Sequence, residues 1–266
     1  MGILNVGARA LLANQTALQT TGNNIANVNT PGYSRQQAIL AATQGQFTGG
    51  GYIGKGVDVV AIEREHSEFL TVQAALAASV EAADVQRSDK LRQLQDIFPG
   101  GSNGLGAALS DMLNAMSDVA NAPTDLTARS VVITRASETA ARFSTAAGRI
   151  TDLQQAIVDQ LDEYGTAING LARQIAAVND QISRAKGNGQ TPNDLLDQRE
   201  QYVRELNRYV QTSQIEADDG TLSVFVGASQ ALVLGTTAAP VSVRQNAFAD
   251  PGSRVLVVER GNVAVE

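Results

Sequence analysis

The sequence predicts a mainly α-helical protein with a β region, an α+β chain in which a long antiparallel coiled-coil helical bundle precedes a β-rich domain. Three observations support this fold class. An apolar stripe of helical period runs through most of residues 125–186, and strand-like alternation replaces it after about residue 211. Aromatic residues make up only 4% of the chain and Trp is absent. Small side chains in place of large rings favour narrow helix–helix seams over a thick globular core.

The N-terminal helix is predicted over about residues 3–27. Leu4, Leu11, Leu18 and Ile25 recur every seven residues, a spacing typical of a helix that winds against another helix. The alternative is an amphipathic helix that packs on its own domain. Because isolated helices are only marginally stable, we expect this helix to need a packing partner.

The exit from this helix is rich in Asn and ends in a Thr-Pro-Gly-Tyr turn. Asn side chains bond to nearby backbone and end helices, Pro presets φ, and Gly permits a positive φ. Two interpretations stay open: a frayed helix end, or a polar network that aligns neighbouring subunits. The candidate axial motif consists of Asn23, Asn24, Asn27, Asn29, Thr30, Pro31, Gly32 and Tyr33.

Beyond a Gly-rich connector at 41–56, a short strand is predicted at 57–62 and helices at 64–98 and 105–119. Thr124 and Asp125 suit the start of the next and longest helix, which ends in a basic turn followed by Gly. Its stripe predicts a rod of roughly 75–80 Å. The predicted coiled-coil core consists of Phe143, Ile150, Ile157, Leu161, Tyr164, Ile168, Leu171, Ile175, Val178 and Ile182.

Thr191 is the expected N-cap of a further helix, and a hairpin turning at Asp219-Gly220 opens the β region. More strands are expected at 231–234, 241–243 and 255–258, with a turn at 250–253. Because the chain ends at Glu266 inside a β-run, we expect an unfinished sheet and a truncated chain. The predicted domains are 1–40 (axial helix and motif), 41–62 (connector and strand), 63–210 (helical) and 211–266 (β-rich).

Charge and composition exclude several classes of function. Three basic residues give residues 1–57 a charge of +3, and the remaining 17 basic and 27 acidic residues give −10, hence −7 overall. An acidic chain without a basic stripe argues against a nucleic-acid partner. Cys is absent and His66 is the one histidine, here expected at a solvated helix start. No metal-ligand spacing or catalytic motif is found, so we expect no enzyme activity, cofactor or metal.

The N-terminus has no basic n-region followed by an apolar run, so no cleaved signal peptide is expected. No apolar run is long enough to cross a bilayer, so no membrane insertion is expected either. A protein of this composition that leaves the cell must use a route that needs no cleaved leader.

Four blocks of the sequence resemble the flagellar hook-associated protein 1 (FlgK) family. They are NNIANVNTPGYSR at 23–35; GVDVVAIER at 56–64 with Phe69, Leu70 and Gln73; the run from Leu109 through Pro123, Arg129 and Ala136 to Phe143; and PNDLLDQR at 192–199 with DGTLSVFV at 219–226 and LVLG at 232–235. The first block alone is typical of flagellar axial proteins in general. The last is the most specific, because hook and rod proteins do not share that passage from helix to hairpin.

The resemblance implies a secreted structural subunit at the junction of the flagellar hook and filament. It implies self-association in a ring, hook subunits below, the next junction protein or the filament above, and an export chaperone. It also implies that the N-terminal helix pairs with a C-terminal helix, which this sequence lacks. The alternatives are a hook or distal-rod axial subunit, or a secreted coiled-coil adhesin stalk.

Overall fold

The computed structural model describes residues 3–47, 49–227, 229–246, 252–260 and 263–265. Its α-helices are α1 (Ile3–Ala26), α2 (Glu68–Ile97), α3 (Leu105–Asn121), α4 (Leu126–Gly187) and α5 (Asn193–Leu206), with a 3-10 turn at Gly101–Asn103. Its strands are β1 (Gln36–Ala42), β2 (Gln46–Phe47), β3 (Tyr52–Ile53), β4 (Val57–Arg64), β5 (Thr212–Glu216), β6 (Leu222–Val226), β7 (Gln230–Leu234), β8 (Thr237–Ala238), β9 (Val241–Gln245), β10 (Arg254–Arg260) and β11 (Val263–Val265). The predicted α+β class is confirmed.

The strands form small antiparallel sheets. Strands β1 and β4 pair with a bulge between Ile39 and Leu40, and β2 pairs with β3 inside the Gly-rich connector. Strands β1, β2 and β3 were not predicted from the sequence. The later strands form one sheet of order β5-β6-β7-β8 and another of order β11-β10-β9. The hairpin turn at Asp219-Gly220 lies where the sequence predicted it, with Gly220 at a φ of +83°.

The chain divides into two compact units that are not consecutive in sequence. The first contains the described residues of 1–79, 167–241 and 258–265, and the second those of 80–166 and 242–257. In the first unit α4 lies against the β5–β8 sheet, because the Asn179 amide bonds to backbone of Leu222 in β6. The predicted core residues on this part of α4 are buried: Ile168, Leu171, Ile175, Val178 and Ile182.

The second unit has a seam of small side chains between α3 and α4. Ala108, Ala115, Thr139 and Ala146 are buried, and the Thr139 hydroxyl donates to the carbonyl of Ala108 at 3.1 Å. This close approach is the narrow packing that an Ala-rich composition favours. One expected core residue differs: Phe143 is 52% exposed. A large aromatic ring does not fit a seam lined by Ala and Thr. The Phe143 ring therefore lies at the margin of the apolar stripe of α4.

The remaining predicted core positions, Ile150, Ile157, Leu161 and Tyr164, are half-buried. The starts of α4 and α5 differ in how they are capped. Asp125 accepts the Thr127 N–H at 2.8 Å at the start of α4, as expected of a capping residue. Thr191 is not the cap of α5: Pro192 occupies that position, and no side-chain hydrogen bond caps the helix.

Two sequence predictions fall partly or wholly beyond the described residues. The turn expected at 250–253 includes residues 250 and 251, and the chain end at residue 266 is also not described.

Candidate functional site: the axial helix and its joint

Helix α1 presents two faces of different character. Leu4, Leu11, Leu18 and Ile25 are 84%, 73%, 73% and 69% exposed, so none of the described residues covers the predicted seam. Ala13 and Thr20 are also seven residues apart, but they are buried. They lie two positions after Leu11 and Leu18, roughly 200° around the helix. The helix therefore packs on its own domain with one face and leaves the heptad face open.

The β1–β4 pair supports the packed face of α1. Arg9 of α1 pairs with Asp58 of β4 at 2.8 Å and donates to the Thr43 hydroxyl at 3.2 Å. Gly56 has a φ of +95°, and a Cβ built there would lie 3.3 Å from Cγ1 of Val6. Glycine is the residue that suits both this conformation and this close approach.

Asn24 ties the last turns of α1 to the start of β1. Its Nδ2 donates to the carbonyl of Gln36 at 2.8 Å, and its Oδ1 accepts the Gln36 N–H at 2.9 Å. The same Oδ1 accepts the Tyr33 hydroxyl at 2.8 Å. The amide thus pairs with Gln36 as an adjacent strand would, and Gln36 is buried. Asn24 and Tyr33 therefore close the motif within the chain.

The other Asn residues of the motif lie nearer to solvent. Asn27 donates to Oδ1 of Asn23 at 2.7 Å and accepts the Thr30 hydroxyl at 3.2 Å. Asn29 and Pro31 are exposed. Gly32 has a φ of +85°, as expected for this turn. The exposed side chains of this group, Asn29 and Pro31, therefore face solvent.

The residues that directly follow the motif contact helix α5. The Ser34 N–H donates to Oδ2 of Asp197 at 2.9 Å, and Nε2 of Gln36 donates to Oδ1 of Asp194 at 3.3 Å. Burial raises the pKa of the Tyr33 phenol, and the negative charges of Asp194 and Asp197 raise that pKa further. The motif is therefore attached to residues more than 150 positions away in sequence.

The end of strand β4 contacts the same face of α5. Nη1 of Arg64 lies 2.9 Å from Oδ1 of Asp197 and 2.5 Å from Oε1 of Glu200. His66 also contacts Glu200, with Nε2 at 3.3 Å from Oε1, and it is exposed two residues before the start of α2. The Asn193 amide donates to the carbonyl of Ile62 at 2.7 Å. We call this set of contacts between residues 32–36, 62–66 and α5 the joint.

A second buried polar group anchors α5 and α4 to the β5–β8 sheet. Asn179 donates to the carbonyls of Leu222 and Gly235 at 2.8 and 2.7 Å and accepts the Leu222 N–H at 3.1 Å. Arg199 donates to Asn179 Oδ1 at 3.3 Å and to the carbonyl of Gly220 at 2.5 Å. Burial lowers the pKa of Arg199, and Glu216 partly opposes that shift. This anchor fixes the helix that carries the joint.

Sequence reasoning missed the residues that hold the motif in place. Arg64 and Asp197 lie in sequence blocks that resemble the family, but no role was assigned to them. The one local signal is the spacing of Asp194, Asp197 and Glu200, which places three carboxylates on one face of a helix.

The arrangement provides surfaces for binding. Asp219, in the predicted hairpin turn, accepts the Thr221 N–H and hydroxyl at 2.9 and 2.8 Å. Those hydrogen bonds lower the pKa of Asp219. Within the described ranges, no cluster of three or more His, Cys, Asp or Glu residues is arranged to hold a metal ion. None of the described helices is long and apolar enough to cross a membrane.

Among the described residues, the chain is a mainly helical protein whose N-terminal helix leaves an apolar heptad face exposed, as in a subunit that packs against another helix. Residues 4–33 match the family model described as flagella basal body rod protein. Residues 91–266, more than half of the chain, match the model described as flagellar hook-associated protein FlgK helical domain. The chain therefore belongs to the FlgK family.

Individual relatives agree with the family models. The chain is 33% identical over 238 residues to flagellar hook-associated protein 1 of Salmonella typhimurium, covering 89% of this chain and 43% of the relative. It is 31% identical to the Escherichia coli K12 protein of that name, over 89% of this chain and 44% of the relative. The Bacillus subtilis protein of the same name is 28% identical, over 88% of this chain and 49% of the relative.

Among solved structures, the chain is similar to the flagellar hook junction protein FlgK from Burkholderia pseudomallei. The TM-score is 0.58 at 25% sequence identity, and the match covers 71% of this chain and 32% of the other. The chain thus spans less than half the length of the relatives it matches.

Proposed function

We propose that this chain is part of a structural subunit that joins the hook of a bacterial flagellum to its filament and lets filament assembly start. The observation that carries the proposal is the heptad face of α1, which is apolar, exposed and opposite a face already packed. Such a face is completed by another helix. Membership of the FlgK family supports the same role, since its relatives carry hook-associated names.

In this proposal the subunits form a ring in the extracellular flagellum. Hook subunits lie below the ring, and the next junction protein or the filament lies above it. The subunit reaches this place by flagellar export, with the help of a chaperone. Leu4, Leu11, Leu18 and Ile25 make the axial contact, and the exposed Asn side chains of the motif contact neighbouring subunits. Residues 1–40, 41–62, 63–210 and 211–266 serve as axial, connecting, helical and outer segments. The subunit acts by assembly, without catalysis or a cofactor.

The second candidate is a hook or distal-rod axial subunit, which the rod-protein match of residues 4–33 favours. A clean gene deletion in the source bacterium separates the two. Electron microscopy of the cell envelope and a blot of the medium for flagellin are the measurements. Completed hooks without filaments, with flagellin lost to the medium, support the junction role. Absent hooks support the rod or hook role, and normal flagella contradict both.

Two changes test the axial face itself. Deleting residues 2–30 removes the face, and replacing Leu11 and Leu18 with Ser makes it polar; both should reduce incorporation into flagella. Leu126→Ser is the matched control, because Leu126 is 77% exposed and lies on α4. Incorporation of the Leu11/Leu18 variant at the level of this control would contradict the axial role.

A further inference from the structure

One face of α5 contacts the turn after α1, the start of β1 and the end of β4. The residues on this face recur every three or four positions, so they share one side of the helix. Each lies close to the turn after α1, to β1, or to β4 and the residues after it. They are Asn193, Asp194, Asp197, Glu200 and Gln201.

The charged centre of this face is removed from solvent. The side chains of Arg64, Asp197 and Glu200 are only 12%, 8% and 16% exposed. A desolvated charge is costly unless it is paired, and removing one member leaves the others uncompensated. Arg64 binds both carboxylates through one nitrogen, while Asp197 also accepts the backbone N–H of Ser34. Asp197 therefore holds β4 and the axial motif at once.

The joint is linked to α1 by a second set of bonds. Asn24, in the last turns of α1, binds both backbone groups of Gln36, and Gln36 in turn donates to Asp194. Asn24 therefore bridges the turn between α1 and β1. The carboxylates of Asp194 and Asp197 hold the residues after that turn against α5. Without the joint, α1 and the β1–β4 pair on which it packs would be free to pivot together relative to α5.

We propose that Asp197, Glu200 and Arg64 are positioning residues that fix the direction in which α1 leaves the rest of its unit. None of them lies on α1, and none touches its heptad face. They act on assembly by holding that face at the angle at which its partner meets it. The inference rests on the proposed function for its biological meaning, but the direction of α1 is a property of the single chain.

The absence of Cys makes a direct distance measurement possible. Spin labels on cysteines replacing the exposed residues Gln15 of α1 and Glu205 of α5 report the direction of α1 through double electron–electron resonance. A reference pair at Gln174 of α4 and Glu205 reports whether the unit itself stays folded. The parent chain should show one narrow distance for each pair.

In the Asp197→Ala/Glu200→Ala variant, the α1–α5 distance distribution should at least double in width while the reference pair stays narrow. Asp180→Ala is the matched control, because Asp180 pairs with Arg184 as neighbours on the surface of α4; both distributions should remain unchanged. An unchanged α1–α5 distribution in the double variant would overturn the proposal.

A third variant decides the matter if the double variant also loosens the reference pair. Asp197→Asn keeps an oxygen that accepts the Ser34 N–H but loses the charge that pairs with Arg64. Intermediate broadening of the α1–α5 distance in this variant supports the proposal, and parent-like width refutes it. Because the measurement needs no flagellum, its outcome is independent of the deletion experiment that tests the junction role.

Discussion

Replacing Asn24 with Ala tests how the axial motif keeps its shape. The change removes three hydrogen bonds: two to the backbone of Gln36 and one from the Tyr33 hydroxyl. Because Gln36 is only 8% exposed, its N–H and C=O lose their partners without gaining full access to water. We expect α1 to remain helical, since Ala favours helix, while the link from α1 to β1 opens more often.

The magnitude follows from the two backbone groups left without partners. Each such buried group costs about 1–3 kcal/mol. The Asn24 bonds are part-buried, so about 1–1.5 kcal/mol per group applies, and with two groups the local opening free energy falls by about 2–3 kcal/mol. Since about 1.4 kcal/mol corresponds to a factor of ten, the Gln36 amide should exchange its hydrogen about 30- to 150-fold faster.

Amide hydrogen exchange followed by NMR is the assay. Asn14→Ala is the control, because Asn14 is exposed on the same helix and its replacement gives the same gain in helix propensity. The control should leave Gln36 exchange within a factor of about 2 of the parent chain, a difference of roughly 0.4 kcal/mol. Equal exchange rates in the two variants would refute the bridging role of Asn24.

Three further changes probe other parts of the first unit. Asn179→Ala leaves buried backbone groups of the β5–β8 sheet unpaired, so the urea midpoint of that unit should fall by about 1.5 M. Gly32→Ala places a side chain on a residue with a φ of +85°, which costs about 1–2 kcal/mol of folding free energy. The urea midpoint of the first unit should therefore fall by about 0.5–1 M. Burial raises the pKa of Tyr33, and the charges of Asp194 and Asp197 raise it further. Asp197→Asn should therefore lower that pKa toward its ordinary value, as measured by NMR titration.

Each of these predictions has a result that contradicts it. For Asn179, the control is Asn114→Ala on the exposed side of α3, and equal urea midpoints would contradict the anchoring role. For Gly32, an unchanged midpoint would show that the turn relaxes at no cost. The raised Tyr33 pKa makes a contribution to stability that is complete below the ordinary pKa of the phenol and lost as pH rises through the raised value. Stability that increases over that alkaline range would contradict this sign.

The helices were predictable because their signals are local. The helix expected at about 3–27 is Ile3–Ala26, and the one expected at 64–98 is Glu68–Ile97. A period of 3.6 residues and the Gly and Pro residues that end it are visible within a short window. Strand β1 was missed because Gln36–Ala42 lacks the alternation of polar and apolar residues that indicates a half-buried strand.

The joint was not predictable in the same way. Asp197 and Ser34 are 163 residues apart, and no periodicity relates one to the other. The sequence indicated that the Asn-rich motif is special, but it left open whether Asn24 faces a neighbouring subunit or its own chain. Burial in the long helix also depends on its neighbours: Ile168 is covered, while Phe143 of the same stripe is not.

The near absence of charge on α1 bears on the surroundings in which this protein works. Arg9 is its one charged side chain, and it is already paired with Asp58. The heptad face therefore brings no titrating group and no charge of its own to a contact. We expect the proposed axial contact to depend little on salt concentration or on pH. In the extracellular flagellum proposed for this chain, where no homeostasis controls the medium, such a contact is an advantage.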